Sequence, residues 1–282
     1  MSGFSASWLA LREPVDHRSR DASLLKLLAQ RLDGRSPMRV LDLGCGTGSN
    51  LRATAPRLGD AQEWTLVDYD PALLEEAALA LTNWADEAQA IGDQLVLIKD
   101  GKNIGVRFRI ADLDRELGDV LSGKPDLVTA SALFDLISES WMKTFAAALK
   151  ISGALFYTVL TYDGRDEFLP EHPLDHAVIA AFAKHQTRDK GFGPAAGPRA
   201  AAALVRILRA EEFTVDTADS PWVMNADDQP LVSQLLDGVA GAVRETGALS
   251  ETQLSDWLAF RQKAASGKQA RITTGHTDIF AY

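Results

Sequence analysis

Cysteine is nearly absent from this chain: Cys45 is the only one in 282 residues. No internal disulfide can form, which suits a reducing compartment. Basic residues are also scarce, with 29 Lys and Arg against 39 Asp and Glu and a formal net charge of −10. No Lys/Arg cluster offsets that balance, so a nucleic-acid partner is disfavoured. No window approaches ~18 uninterrupted apolar residues. The N-terminal MSGFSASWLALREPVDHRSRD lacks a basic start followed by an apolar core. Neither membrane insertion nor secretion is indicated, and the expected location is cytoplasmic. Repeats and low-complexity tracts are missing as well. His17, His172, His176, His185 and His276 form no close cluster with other ligand types, so no metal site is expected. What remains is an ordinary globular composition, 46% hydrophobic and 24% charged.

Hydrophobic period and Gly/Pro punctuation divide the chain. Residues 1–36 read as a helical extension or lid, with Leu24, Leu25, Leu27, Leu28 and Leu32 on a helix ended by Gly34 and Pro37. Residues 37–282 read as the main domain, with a cofactor half at 38–162 and substrate-side insertions and closing strands at 163–282. In the first half MRVLDLG, WTLVDYD, DLVTASAL and ALFYTVL alternate with amphipathic helices, the pattern of βαβ units on a parallel sheet. LVLIKDGKNIGVRFRI reads as two strands around an Asp100-Gly101-Lys102-Asn103 turn, an ornament on one sheet edge. Beyond Leu160, TYDGRDEFLPEHPLDH and KHQTRDKGFGPAAGP are polar and turn-rich. FTVDTADSPWV and RITTGHTDIFAY read as closing strands, separated by one helical stretch over roughly 230–265.

The most specific segment is Val40-Leu41-Asp42-Leu43-Gly44-Cys45-Gly46-Thr47-Gly48-Ser49-Asn50, a buried strand leading through alternate glycines into a helix. Glycine lets backbone approach a ligand, and the helix start offers free N–H groups. A dinucleotide fingerprint would need glycine at position 49, where Ser49 stands. VLDLGCGTG resembles the first motif of the class I S-adenosylmethionine-dependent methyltransferases, and later segments resemble that family's landmarks in order.

The resemblance implies an α/β, Rossmann-like fold: a seven-stranded, mostly parallel sheet with an antiparallel last strand, helices on both faces and helical insertions. It sets Asp42, Gly44, Gly46 and Gly48 against the methionine part of S-adenosylmethionine. Asp68 in Leu66-Val67-Asp68-Tyr69-Asp70-Pro71 would grip the ribose hydroxyls, with Tyr69 near the adenine. Asp70 is the better candidate for a helix cap before Pro71. Asp112, with Leu113 beside it, would meet the adenine amino group, although Asp114 lies two places away; Ser131 and Ala132 would line the cofactor's passage. Phe134 and Leu136 read as core or cofactor-covering residues, and Asp135 as either a substrate contact or a solvated helix start.

Methyl transfer is an in-line displacement in which the protein chiefly aligns the partners. A base would help with a hydroxyl or amine acceptor, and His185 is the candidate. Tyr162, Arg165, Asp189 and Lys190 are the candidate substrate residues, in segments expected to overhang the sheet's carboxyl edge. His17 and Arg18 are placed where they would close over the cofactor's carboxylate, and His276 reads as structural. The expected activity is methyl transfer to O, N or C of a small molecule, yielding S-adenosylhomocysteine. The competing readings are a non-catalytic S-adenosylmethionine-binding sensor or assembly subunit and, less favoured, a nucleic-acid or protein methyltransferase. The hairpin and the helical stretch near the C-terminus are candidates for shaping substrate access or a homodimer interface.

Overall fold

Apolar runs become central strands here because both of their faces are covered. In β1 (Met38–Leu43) every residue but Arg39 is buried, as expected of a strand with helices on both sides. Successive residues serve different cores: Val40 joins Leu28, Trp64 and Tyr157, whereas Leu41 and Leu43 join Val67, Phe145 and Leu204. The computed structural model describes residues 4–282. The other strands are β2 (Ala61–Asp68), β3 (Glu87–Ile91), β4 (Gln94–Lys99), β5 (Lys102–Ile110), β6 (Leu127–Ser131), β7 (Leu155–Leu169), β8 (Val215–Asp219), β9 (Trp222–Met224) and β10 (Arg271–Ala281). They form one sheet in the order β3-β4-β5-β2-β1-β6-β7-β10-β8, with β9 on β10. β5, β2, β1, β6 and β7 are mutually parallel, and β10 runs antiparallel to both β7 and β8.

Among the described residues ten strands stand where seven are expected. β4 and β5 are the anticipated hairpin, and β5 is also the parallel neighbour of β2. β3 adds a further antiparallel edge strand whose every residue is exposed, so no hydrophobic alternation marks it. β7 is the larger correction. TYDGRDEFL is not a loop after the strand but its outer half, paired with β10 from Thr161↔Thr277 to Leu169↔Arg271. Its polar residues reflect what that half faces, which is a cavity on one side and solvent on the other.

Helices flank the sheet: α1 (Ala6–Ser19), α2 (Ala22–Arg31), α3 (Ser49–Thr54), α4 (Pro71–Trp84), α5 (Leu113–Leu121), α6 (Glu139–Ser152), α7 (Asp175–Gln186), α8 (Ala200–Ala210), α9 (Gln229–Thr246) and α10 (Glu251–Ser266). The helical N-terminal extension consists of two helices, because Asp21 turns its carboxylate to the Leu24 N–H and starts α2 afresh. The stretch before the last strand likewise divides at left-handed Gly247, after which Ser250 and Gln253 form a capping box. Asp70 caps α4 with Pro71 at its first position. Among the described residues no helix is long and apolar enough to cross a membrane.

Candidate active site

The carboxyl ends of β1, β2, β5, β6 and β7 open into one cavity of about 1050 Å³, roofed by α1, α7 and α9. Its first side is the turn between β1 and α3. Gly44 and Gly46 have φ of +62° and +52°, and a Cβ on Gly46 would lie 3.0 Å from the Leu9 side chain of α1. A side chain there would therefore meet both backbone strain and the roof. Asp68, at the end of β2, accepts the Gly46 N–H at 2.9 Å and the Asp70 N–H at 3.1 Å. Burial raises its carboxyl above the usual range while those N–H groups act to lower it. Arg52 fixes the turn from below, donating to the Thr47 carbonyl at 2.7 Å and gripping Glu13 of α1 at 2.5 and 2.8 Å.

Beyond the turn, Tyr69 and Ile110 are 44% and 62% exposed and line the cavity with Leu113, an apolar surface that a flat ring would cover. Ile110 was not anticipated; an apolar residue at the carboxyl end of β5, two places before Asp112, was the available signal. Asp112 lines the cavity and caps α5 through the Asp114 N–H at 3.0 Å, while Asp114 itself does not line it. Ser131 and Ala132 follow, and Ala132 has φ +51°, uncommon for a residue with a Cβ. Leu160 on the neighbouring strand has φ +57° and also lines the cavity. Two such backbones meeting at one cavity suit a functional site.

Four sequence-based placements change. Asp42 does not line the cavity: it is fully buried, with Oδ1 accepting from Asn50 at 2.7 Å and Oδ2 unpartnered. Gly48 does not line it either; with φ +76° it turns the chain into α3, and it is that backbone rather than lack of room that favours glycine, since a Cβ there would make only ordinary contacts of 3.5 to 3.6 Å. Arg165 lies on the strand face opposite Tyr162, Asp166 and Phe168, where it bridges Asp163 and Asp219 in solvent. Arg18 pairs with Asp228 outside the cavity, whereas His17 rests on Ser49 Oγ at 3.0 Å.

Burial pushes the Asp42 carboxyl up to about 7, against the Asn50 hydrogen bond. Between its ordinary value and about 7 the folded chain holds a proton that the unfolded chain has released. Its contribution is therefore full at low pH and lost as pH rises through that window, at ~1.4 kcal/mol per pH unit. Asp42→Asn should remove this slope: in urea unfolding the variant gains on the parent by about 2.5 kcal/mol between pH 5 and pH 8. Parallel stability–pH curves would refute the buried-acid assignment.

The second side carries polar groups the sequence reading did not assemble. Tyr162 donates to Asp166, and Asp166 and Phe168 follow it at alternate positions along β7. His276 lies 6.3 Å from the Tyr162 ring and 5.3 Å from the Trp222 ring, and burial pushes its imidazole down to about 3, so it is neutral. It lines the cavity in addition to packing in β10. Arg12 and Asp16 of α1 pair at 2.9 Å, and Trp222 Nε1 donates to Asp16. The period of two through Tyr162, Asp166 and Phe168 was a readable signal; nothing marked Arg12 or Asp16. His185, Asp189 and Lys190 line the outer rim. His185 Nε2 lies 3.1 Å from Glu245, which also holds Arg188 at 2.5 Å.

Residues 16–216 match a methyltransferase domain family. The fold resembles a cyclopropane-fatty-acyl-phospholipid synthase-like protein from Lactobacillus casei, with TM-score 0.54 and 14% identity over 99% of this chain and 95% of that one. It also resembles the cyclopropane synthase MmaA2 from Mycobacterium tuberculosis, with TM-score 0.52 and 14% identity over the same shares. At that identity the likeness establishes fold alone. A 134-residue stretch, 46% of this chain, is 26% identical to 3-methylorcinaldehyde synthase of Talaromyces stipitatus, and it spans 4% of that protein's length. With the family match over most of its length, the chain belongs to this methyltransferase domain family.

Proposed function

We propose that the chain binds S-adenosylmethionine against the glycine turn and transfers its methyl group to a small molecule held in the same cavity. The observation that carries this reading is continuity: one space of about 1050 Å³ joins Gly44, Gly46 and Asp68 to Tyr162, Asp166 and Phe168. That is at the upper end of ordinary ligand pockets, roughly 300–1,000 Å³, and suits two ligands side by side. The first side fits the cofactor. Asp68 spends only part of its acceptor capacity on the Gly46 and Asp70 N–H groups, leaving lone pairs for ribose hydroxyls. Tyr69, Ile110 and Leu113 would enclose the adenine, Asp112 would accept from its amino group, and Ser131 and Ala132 would flank its passage.

The bound sulfonium would supply an electrophilic methyl group, so the protein's part is alignment, water exclusion and proton handling. Leu9 over Gly46 and the Arg52–Glu13 pair would make α1, the first helix of the 1–36 extension, a lid on the cofactor. Tyr162, Asp189 and Lys190 would contact the acceptor, and His185, oriented by Glu245, stands at the rim as a candidate base. The net charge of −10 favours a small acceptor over nucleic acid.

Calorimetric titration tests the reading. S-adenosylmethionine and S-adenosylhomocysteine should bind at one site, and a nicotinamide dinucleotide should not. Failure of both adenosyl ligands would overturn it.

A further inference from the structure

The cavity's carboxylates are not equivalent. Asp16 is held by Arg12 and Trp222, Asp68 by the glycine turn, Asp112 by the Asp114 N–H, Asp166 by Tyr162, Asp189 by the Gly191 N–H, and Glu245 by His185 and Arg188. Glu116 accepts from the Asp112 N–H. Asp135 alone, among the described residues lining the cavity, has a carboxylate that meets no other residue: only its own backbone N–H lies against it. A half-buried carboxylate that faces a cavity with no partner from another residue is open to a ligand's donor or to a proton.

Its position is fixed. Phe134, immediately before it, is fully buried between Phe145 and Phe156, at ring separations of 5.3 and 5.4 Å, with Trp141 stacked on Phe145. This clamp sits just past Ser131 and Ala132, so Asp135 lies where the cofactor side of the cavity passes into the acceptor side. The charged and titratable groups around that space are Arg12 and its partner Asp16 on α1, Asp189 and Lys190 in the loop after α7, Tyr162 and its partner Asp166 on β7, and neutral His276 on β10; of these Arg12 and Lys190 favour the ionised Asp135. The far wall is apolar, built from Phe168, Ile179, Phe182, Leu235 and Val239.

An unpartnered carboxylate could serve a cationic amine or a hydroxyl. Both charges acting on Asp135 are positive, Lys190 and the Arg12 that also holds Asp16, so a cationic acceptor gains less beside it than a neutral one. An acceptor that begins neutral and develops negative charge is matched by the same two cations. Resting on the methyltransferase reading above, we propose that the acceptor is a weakly acidic hydroxyl, a phenol or enol, on an apolar ring or chain, and that Asp135 takes its proton. As the acceptor's O–H bond breaks, its proton passes to an Asp135 carboxylate oxygen and the oxygen's electron pair forms the new O–CH₃ bond. The methyl–sulfur bond breaks with its electron pair retained by sulfur, which leaves as a neutral thioether. Arg12 and Lys190 offset the charge that builds on the oxygen. Burial pushes the Asp135 carboxyl up to about 6, which suits a group that must accept a proton near neutrality.

The test uses the full chain saturated with S-adenosylhomocysteine and two probes of one shape, naphthol and aminomethylnaphthalene, with binding read by fluorescence. Naphthol should bind more tightly than the cationic amine, and its affinity should rise as pH passes through about 6. Asp135→Asn, which preserves size, should remove that pH step and weaken naphthol binding about tenfold. With S-adenosylmethionine present, the variant should methylate naphthol at least ~100-fold more slowly. S-adenosylhomocysteine affinity should not change, which also reports that the variant is folded. Preference for the amine, or a variant with the parent's pH step and rate, overturns the proposal. Absence of S-adenosylhomocysteine binding by the parent would instead overturn the methyltransferase reading on which it rests.

Discussion

Asp68→Asn is expected to bind S-adenosylhomocysteine about 100-fold more weakly than the parent by calorimetry. Hydrogen bonds to a charged acceptor contribute roughly 1.5 kcal/mol or more each, so losing charge assistance toward two ribose hydroxyls amounts to ~3 kcal/mol, or two powers of ten. The substitution also touches the turn. One carboxylate oxygen faces the Gly46 N–H and the other the Asp70 N–H, so an amide must present its own N–H to one of these donors. Part of that loss is returned, because burial already disfavours the ionised carboxylate. Unfolding stability should therefore fall by only about 1–2 kcal/mol while affinity collapses. Asp112→Asn is the comparison: its carboxylate is exposed and would meet one amino group, so a loss nearer tenfold is expected. Equal affinities for Asp68→Asn and the parent would remove the ribose assignment, whatever the stability result.

The parallel half of the sheet was readable because β1, β6 and the first half of β7 are near-continuous apolar runs, and Gly44, Gly46, Gly48 and Pro71 punctuate real turns. Asp68, Asp112 and Ser131 sit at strand ends, where chain order alone places them on one edge, and all three line the cavity. Asp42 has the same motif spacing but a different fate. Its strand position turns it below the turn toward Asn50, and sequence spacing carries no information about that rotation. The acceptor side was harder to read. Arg12, Asp16, Tyr162, Trp222 and His276 come from four elements scattered along the chain, joined only by antiparallel closure of β7, β9 and β10 and by α1 folding across them. Arg165 shows the cost of reading a strand as a loop: once β7 continues to Leu169, alternation sends Arg165 away from Tyr162 and Asp166.

The antiparallel closure depends on one buried acid, and Asp278→Ala should destabilise the chain by roughly 3–5 kcal/mol in urea unfolding. Asp278 is fully buried; Oδ1 accepts the Leu160 N–H and Oδ2 the Asp21 N–H, each at 2.9 Å. Neither donor has an easy substitute. The β7–β10 register slips between Thr277 and Ile279, leaving Leu160 at φ +57° without a cross-strand partner, while Asp21 begins α2, where backbone N–H groups have none. Removing the carboxylate strands two buried donors at about 1–3 kcal/mol each and opens a small void. Because the same slip decides which β7 residues face the cavity, destabilisation should be joined by weaker ligand binding even though Asp278 itself lies outside it. Asp278→Asn retains one acceptor and should recover about half of the lost stability. If alanine cost no more than asparagine, Leu160 would hold its left-handed backbone without the carboxylate, and the geometry of the acceptor wall would have to come from β7 alone.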